Sequence, residues 1–402
     1  SIKGGAVADF DVVRGSAATR VNAEGLIEDI SVLSGELVTN NSFDTDSNWN
    51  GVNTNGVTIS NGSLNFSETT ISHNITQGGV AEVGKSYKAT LTISNYIKGS
   101  VRVLLGAGGT TQEISANGTF TLYGVASINT TLYIQARGAS NTTLSIDNIS
   151  VKEVIDATNI PRIDYTTGEG AVLLEPQSTN LLPYSEDFTQ WSTVNSSVDS
   201  NDTLSPNGSQ SASKLNTTSV SSRIQQSLAL SGVNTISIFV KYAGDDVTIR
   251  FKRNTFNDSC SFDVSSLGVV FNSAESGITS YNVEEFANDW HRVSCVFDGG
   301  DYFQFYGDVT GNNGSVYIWG AQAETLSYVT SYIPTSGAIA TRLADVVTGA
   351  GDVNTFNSTE GVLYAEIAAL ADDGTNRYIT LNSGLKNDSV RIYYNSLLQN
   401  QI

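Results

Sequence analysis

The sequence predicts an all-β protein: tandem jelly-roll β-sandwich modules joined by an irregular connector, with the start of a third sandwich at the C-terminus. Three observations carry this. Apolar and polar residues alternate at period two, the spacing of a strand with one buried face. Examples are "SYKATLTIS" (Ser86–Ser94), "TISIFVKY" (Thr235–Tyr242), "VTIRFKR" (Val247–Arg253) and "HRVSCVF" (His291–Phe297). Few windows place apolar residues at i, i+3, i+4 and i+7, the helical spacing. Between the alternating runs lie "GAGG", "SNG", "ANG" and "GNNG", which tight turns favour because Gly and Asn tolerate positive φ.

An internal echo divides the chain. "NNSFDTDSNWN" (Asn40–Asn50) and "STNLLPYSEDFTQWS" (Ser178–Ser192) each set a Phe beside an acidic residue and a Trp a few positions on. Each opens a module. Module one, residues 36–155, closes with "TTLSIDNISVKEV" (Thr142–Val154). Module two, residues 184–335, closes with "GSVYIWGAQAET" (Gly314–Thr325). Both suit sandwiches of roughly 100–150 residues, and a chain of 402 residues exceeds one ordinary core. Residues 1–35 form an N-terminal connector and 156–183 its return. "SAATRVNAEG" (Ser16–Gly25) echoes "AIATRLADVV" (Ala338–Val347), so residues 336–402 hold a second connector. A partial lectin-like β-sandwich follows it, too short to close a double-sheet core.

Composition excludes several classes. The net charge is −19, from 21 basic against 40 acidic residues. Nucleic-acid binding needs basic patches, so no nucleic acid is expected, and an anionic membrane surface is disfavoured by the same sign. No apolar run is long enough to span a bilayer, so no membrane insertion is expected. Residues 1–10 lack a basic start followed by an apolar stretch, and the sequence has no Met, which fits a processed product or an excised piece.

Three strings resemble tailed-bacteriophage virion proteins of the fibre, spike and adhesin kind. They are "ADFDVVRGSAATRVNAEGLIEDI" (Ala8–Ile30), "NIPRIDYTTGEGAVLLEPQSTNLLPYSEDFTQW" (Asn159–Trp191) and "IWGAQAETLSYVTSYIPTSGAIATRLADV" (Ile318–Val346). In relatives the first two run close together. Here module one stands between them, so it looks like an insertion, with residues 4–30 expected to pack on 161–182. Module one itself is similar to carbohydrate-binding jelly rolls through its "NSFDTDSNW" opening and "IDNISV" closing. The resemblance implies an extracellular virion protein, other virion subunits as partners, and a homo-oligomer, often a trimer. It also implies a structural calcium near Asp44 and Asp147 of module one. Module two has Trp319 in place of Asp147.

Catalytic constellations do not stand out, and the chain is expected not to be an enzyme. Only His73 and His291 could serve as histidine bases, and no HExxH, GxSxG, P-loop or GxGxxG pattern occurs. Asp245–Asp246, Glu284–Glu285 and Asp372–Asp373 read as turn or solvated carboxylates. His291 reads as a buried strand histidine, and His73 as a strand or rim residue. Cys260 and Cys295 each alternate into a core. Two buried free thiols are the expected state, with a disulfide the alternative.

Glycan binding has the best pattern. Aromatic rings stack on sugar faces, and planar polar groups pair with hydroxyls. Period two in "LYIQARG" turns Tyr133, Gln135 and Arg137 away from Leu132, Ile134 and Ala136. In "DYFQFYGD" it turns Tyr302, Gln304 and Tyr306 away from Phe303 and Phe305. Arg102, Arg250 and Lys252 take the same outward phase in their own strands. These nine residues form the expected ligand faces, for a bacterial surface polysaccharide. The alternatives are a solvated face or subunit contact on a purely architectural spacer, or the binding portion of a secreted polysaccharide-degrading enzyme.

Overall fold

The computed structural model describes residues 11–107, 109–110, 113–252, 259–275, 277–311, 313–348, 377–382 and 389–394. Among them there is no α-helix, only two single-turn 3-10 helices, Phe188–Gln190 and Ala287–Asp289. The chain forms tandem β-sandwich modules, and every strand pairing among the described residues is antiparallel. The expected C-terminal sandwich lies mostly outside the described residues. The part described is a hairpin of Arg377–Asn382 with Ser389–Tyr394.

Module one packs two sheets face to face. The larger runs Gly118–Val125, Ser86–Lys98, Thr142–Asp156, Ser63–Thr69, Val57–Ser60, and Val32–Leu33 pairs the far end of Thr142–Asp156. The smaller runs Gly109–Thr110, Ser100–Leu105, Leu132–Arg137, Asn74–Gln77. Strict alternation decides which side of each strand is inside. Tyr87, Ala89, Leu91 and Ile93 are buried while the residues between them are half-buried. Burying such apolar faces drives closure at roughly 25 cal/mol per Å².

Module two differs in one respect: two long strands belong to both layers. Arg223–Tyr242 and Trp290–Tyr306 pair with each other along most of their length, with register shifts between Ser227 and Val233. Past those shifts their other halves join the second layer. One layer contains Ser196–Thr203, Ala212–Thr217, Ser315–Glu324, the halves 235–242 and 290–298, and Ile278–Phe286. The other contains Ser192–Val194, the halves 223–227 and 302–306, Val247–Lys252, Ser259–Ser265 and Gly268–Ala274. Irregular register lets a strand bend and change sheets.

The sequence echo has a physical counterpart. Phe43 and Trp49 pack with ring centroids 5.4 Å apart, as do Phe188 and Trp191. Each indole N–H then donates to an upstream carbonyl, Trp49 to Asn40 O (3.2 Å) and Trp191 to Tyr184 O (2.8 Å). Both pairs are buried, so each opening phrase anchors its own core. Cys260 and Cys295, expected as free thiols, form a disulfide instead. They point inward from opposite layers with Cα atoms 6.6 Å apart, within disulfide reach.

The connector segments converge on the outer face of the first layer of module two. Asp11–Val13 pairs Val346–Thr348, and Ser178–Asn180 pairs Ala340–Arg342. Ile27 and Tyr332 join Ala212, Phe239, Trp290 and Trp319 in a small second core. Next to it, through Ser331, lies a buried ion cluster: Arg14 pairs with Asp345, Arg162 with both Asp345 and Glu175, and Arg342 with Glu175.

Candidate functional site

The outward face of the smaller sheet in module one brings Asn74, Gln135 and Arg102 into one cross-strand row. Arg102 Nε donates to Gln135 Oε1 (2.9 Å), and Gln135 Nε2 donates to Asn74 Oδ1 (2.8 Å). The next rows hold Tyr133, whose hydroxyl accepts from Asn129 Nδ2 (3.0 Å), and Arg137, which pairs with Glu113 (3.1 Å). Leu132, Ile134 and Ala136 are fully buried behind them. Burial works to raise the Glu113 carboxyl, but hydrogen bonds from Ser100 and Arg137 outweigh it and hold the pKa below its ordinary value.

Module two repeats the arrangement. Gln225, Gln304 and Lys252 stand in one row, and Arg223, Tyr306 and Arg250 in the next. Gln304 Nε2 donates to Gln225 Oε1 (3.2 Å), and so does Arg223 Nε (3.0 Å). The Arg223 guanidinium stands over the Tyr306 ring, 5.6 Å from its centroid. Arg250 Nε donates to Ser261 Oγ (3.1 Å). Gln304 occupies the outward phase yet is only 5% exposed, with the longer side chains of Arg223, Tyr306 and Arg250 in the row beside it. The Tyr302 side chain lies outside the described residues.

The two rows match in kind and order: amide, glutamine, cation. Asn74–Gln135–Arg102 in module one corresponds to Gln225–Gln304–Lys252 in module two. Period-two phase in the central strands placed the Gln and the cation. It also held the signal for Arg223 and Gln225, which flank the inward Ile224, and for Asn74 beside the inward Ile75. Asn129, Glu113 and Ser261 follow from loop course and strand pairing, which the local pattern does not encode.

Other expected residues stand apart from these faces. Asp44 accepts from Ser42 Oγ (2.6 Å), and Asp147 accepts from Ser63 and Ser94 Oγ (3.0 and 2.8 Å) at a register irregularity. Among the described residues no group of three or more His, Cys, Asp or Glu is placed to hold a metal ion. His291 is buried with Nδ1 lacking a hydrogen-bond partner, and His73 Nε2 sits 2.8 Å from Gly51 O. Asp245 accepts from Ser315 N (3.1 Å). Glu284 and Glu285 belong to the strand Ile278–Phe286 and not to a turn, with Glu284 half-buried and Glu285 exposed to solvent. No helix among the described residues is long and apolar enough to cross a membrane.

A second titratable cluster lies where module one, the connector and module two meet. Burial raises the Glu186 carboxyl to about 7; the Tyr332 hydroxyl, donating to Oε1 (2.9 Å), opposes the rise, and the Asp29 charge adds to it. Asp29 is itself raised, by burial first, with the nearby Tyr123 hydroxyl and Lys88 opposing.

No protein-family model matches this chain, and no curated protein matches it. Among solved structures, the N-terminal CBM22-1–CBM22-2 tandem domain from Paenibacillus barcinonensis Xyn10C aligns with 74% of this chain and 99% of its own, at 11% identity and a TM-score of 0.24.

Proposed function

We propose that this chain is a virion attachment protein of fibre or spike type, which holds bacterial surface glycans on the outward faces of its two sandwiches and catalyses no reaction. The repeated amide–glutamine–cation row supports this most directly. Each row offers side-chain amides, whose donors and acceptors lie in one plane, to vicinal sugar hydroxyls. Tyr133 and Tyr306 add aromatic surface for the apolar sugar face. Other virion subunits and a homo-oligomeric, trimeric assembly belong to the same reading.

A purely architectural role has one observation in its favour: the row side chains already satisfy one another, as in a face that packs against a neighbouring subunit. Binding of the full chain to immobilised bacterial surface polysaccharides separates the two. On the glycan reading, Tyr133→Ala and Gln135→Ala each weaken retention of a module-one ligand about tenfold with thermal unfolding unchanged. Retention on no polysaccharide, with the same substitutions dissociating an oligomer, would establish the spacer.

A further inference from the structure

We propose that the outer face of module two around Tyr306 is a site for an acidic polysaccharide whose sugar rings carry carboxylates; this rests on reading the chain as a glycan binder. Arg223, Arg250 and Lys252 converge there on adjacent rows of one sheet face. Among the described residues none of the three pairs with a carboxylate, whereas Arg137 on the matching face of module one is neutralised by Glu113. Among the described residues Asp263 stands on the same face, and its oxygens accept from neutral donors, Thr248 Oγ1 (2.6 Å) and Asn272 Nδ2 (2.8 Å). In a chain with 40 acidic residues against 21 basic ones, three cations stand together on these two rows.

Its spacing suits a polymer. Arg223 and Arg250 flank Tyr306 on neighbouring strands, so they stand roughly 10 Å apart, two strand spacings, comparable to a disaccharide. Lys252 lies two residues along the strand from Arg250, roughly 7 Å away. A glycan crossing the strands would meet a cation, an aromatic ring and a second cation, with Gln225 and Gln304 alongside for hydroxyls. The module's other outer face is covered by the connector. Duplex nucleic acid fits less well: tight binding neutralises about 6–10 phosphates, more than three cations provide, and the amides have a better match in sugar hydroxyls.

The test is affinity electrophoresis of the full chain through gels containing polygalacturonate, or dextran as the neutral counterpart, with duplex DNA as competitor. Retardation by polygalacturonate and not by dextran is expected, weakening as salt rises. The double variant Arg250→Ala/Lys252→Ala should lose about tenfold or more in affinity, while Arg250→Lys keeps most of it and Lys98→Ala, remote in module one, changes nothing. Should the double variant unfold, Arg223→Gln supplies the same comparison. Equal retardation of wild type and cation variants, equal retention by dextran, or stronger binding to DNA overturns the proposal. Retention on neutral surface polysaccharides through Tyr133, without retention on polygalacturonate, removes this site and leaves the glycan reading standing; retention on no polysaccharide removes both.

Discussion

Glu186 holds its proton to an unusually high pH. An exposed glutamate titrates near 4.5, whereas here burial lifts the value to about 7. Between those values the folded chain keeps a proton that the unfolded chain releases. This group's contribution to stability is therefore fully present below about pH 4.5 and lost as pH rises through about 7. Asp345 acts at the other end: burial works to raise it, but Arg162 and Arg14 hold it below its ordinary value, so its contribution is lost as the medium turns strongly acidic. Glu186→Gln should melt close to wild type at pH 4.5 and above it at pH 8, with about 2–4 °C expected per kcal/mol. Scanning calorimetry at the two pH values checks this, and an equal loss at both would contradict it. The residue pattern gave no sign of this group. Glu186 stands in the module-opening phrase "SEDFTQWS", and the Tyr332 hydroxyl that contacts it comes from 146 positions away. Tyr133, Gln135 and Arg250, by contrast, were legible because strand phase alone orients them.

At the scale of elements, the connector strings are informative for a reason that local pattern does not show. Arg14, Arg162, Glu175, Arg342 and Asp345 come from three distant segments and meet with their side chains at most 2% exposed. A buried ion pair is a weak net stabiliser compared with apolar packing, but removing one partner strands the others without water. Arg162→Ala should therefore cost about 3–5 kcal/mol, whereas Arg20→Ala, in a half-exposed pair with Glu28, should cost less than about 1 kcal/mol. Denaturant titration of both variants measures the contrast, and similar small losses would show that the cluster is hydrated. The repeated Ala-Thr-Arg was visible in the sequence, but its two arginines have different fates. Arg342 is buried in the cluster and Arg20 is half-exposed, a distinction set by which segment packs above each. The alternating runs, in contrast, announced most strands directly, since period two survives wherever one face is buried.

At the scale of the whole molecule, the chain enters and leaves module one through neighbouring strands. Val32–Leu33 pairs the end of Thr142–Asp156, and Ser34 N donates to Glu153 O (2.9 Å). Just outside, Arg14 N donates to Asn159 Oδ1 (2.8 Å) and Tyr165 N to Val21 O (3.1 Å), so the flanking connector holds itself together. Module one meets module two where Gln210 N donates to Thr119 O (2.8 Å) beside Gly118, where a Cβ would come within 2.7 Å of the Gln210 side chain, and at the cluster of Tyr123 and Lys88 with Asp29 and Glu186. Its core is a separate cluster from that of module two. Replacing residues 34–153 by a short Gly-Ser turn should then leave a chain that unfolds cooperatively within a few degrees of the module-two transition of the full protein. The same deletion keeps Arg223, Tyr306 and Arg250 intact. Affinity for short acidic oligosaccharides should be unchanged, while avidity for a long mixed polymer that both faces engage should fall, because a tethered second site can add about 10²–10⁴. Calorimetry and binding to oligomers against polymers read these two outcomes independently. A deleted chain without a cooperative transition would mean that module one is part of the folding unit and not an insertion carried by it.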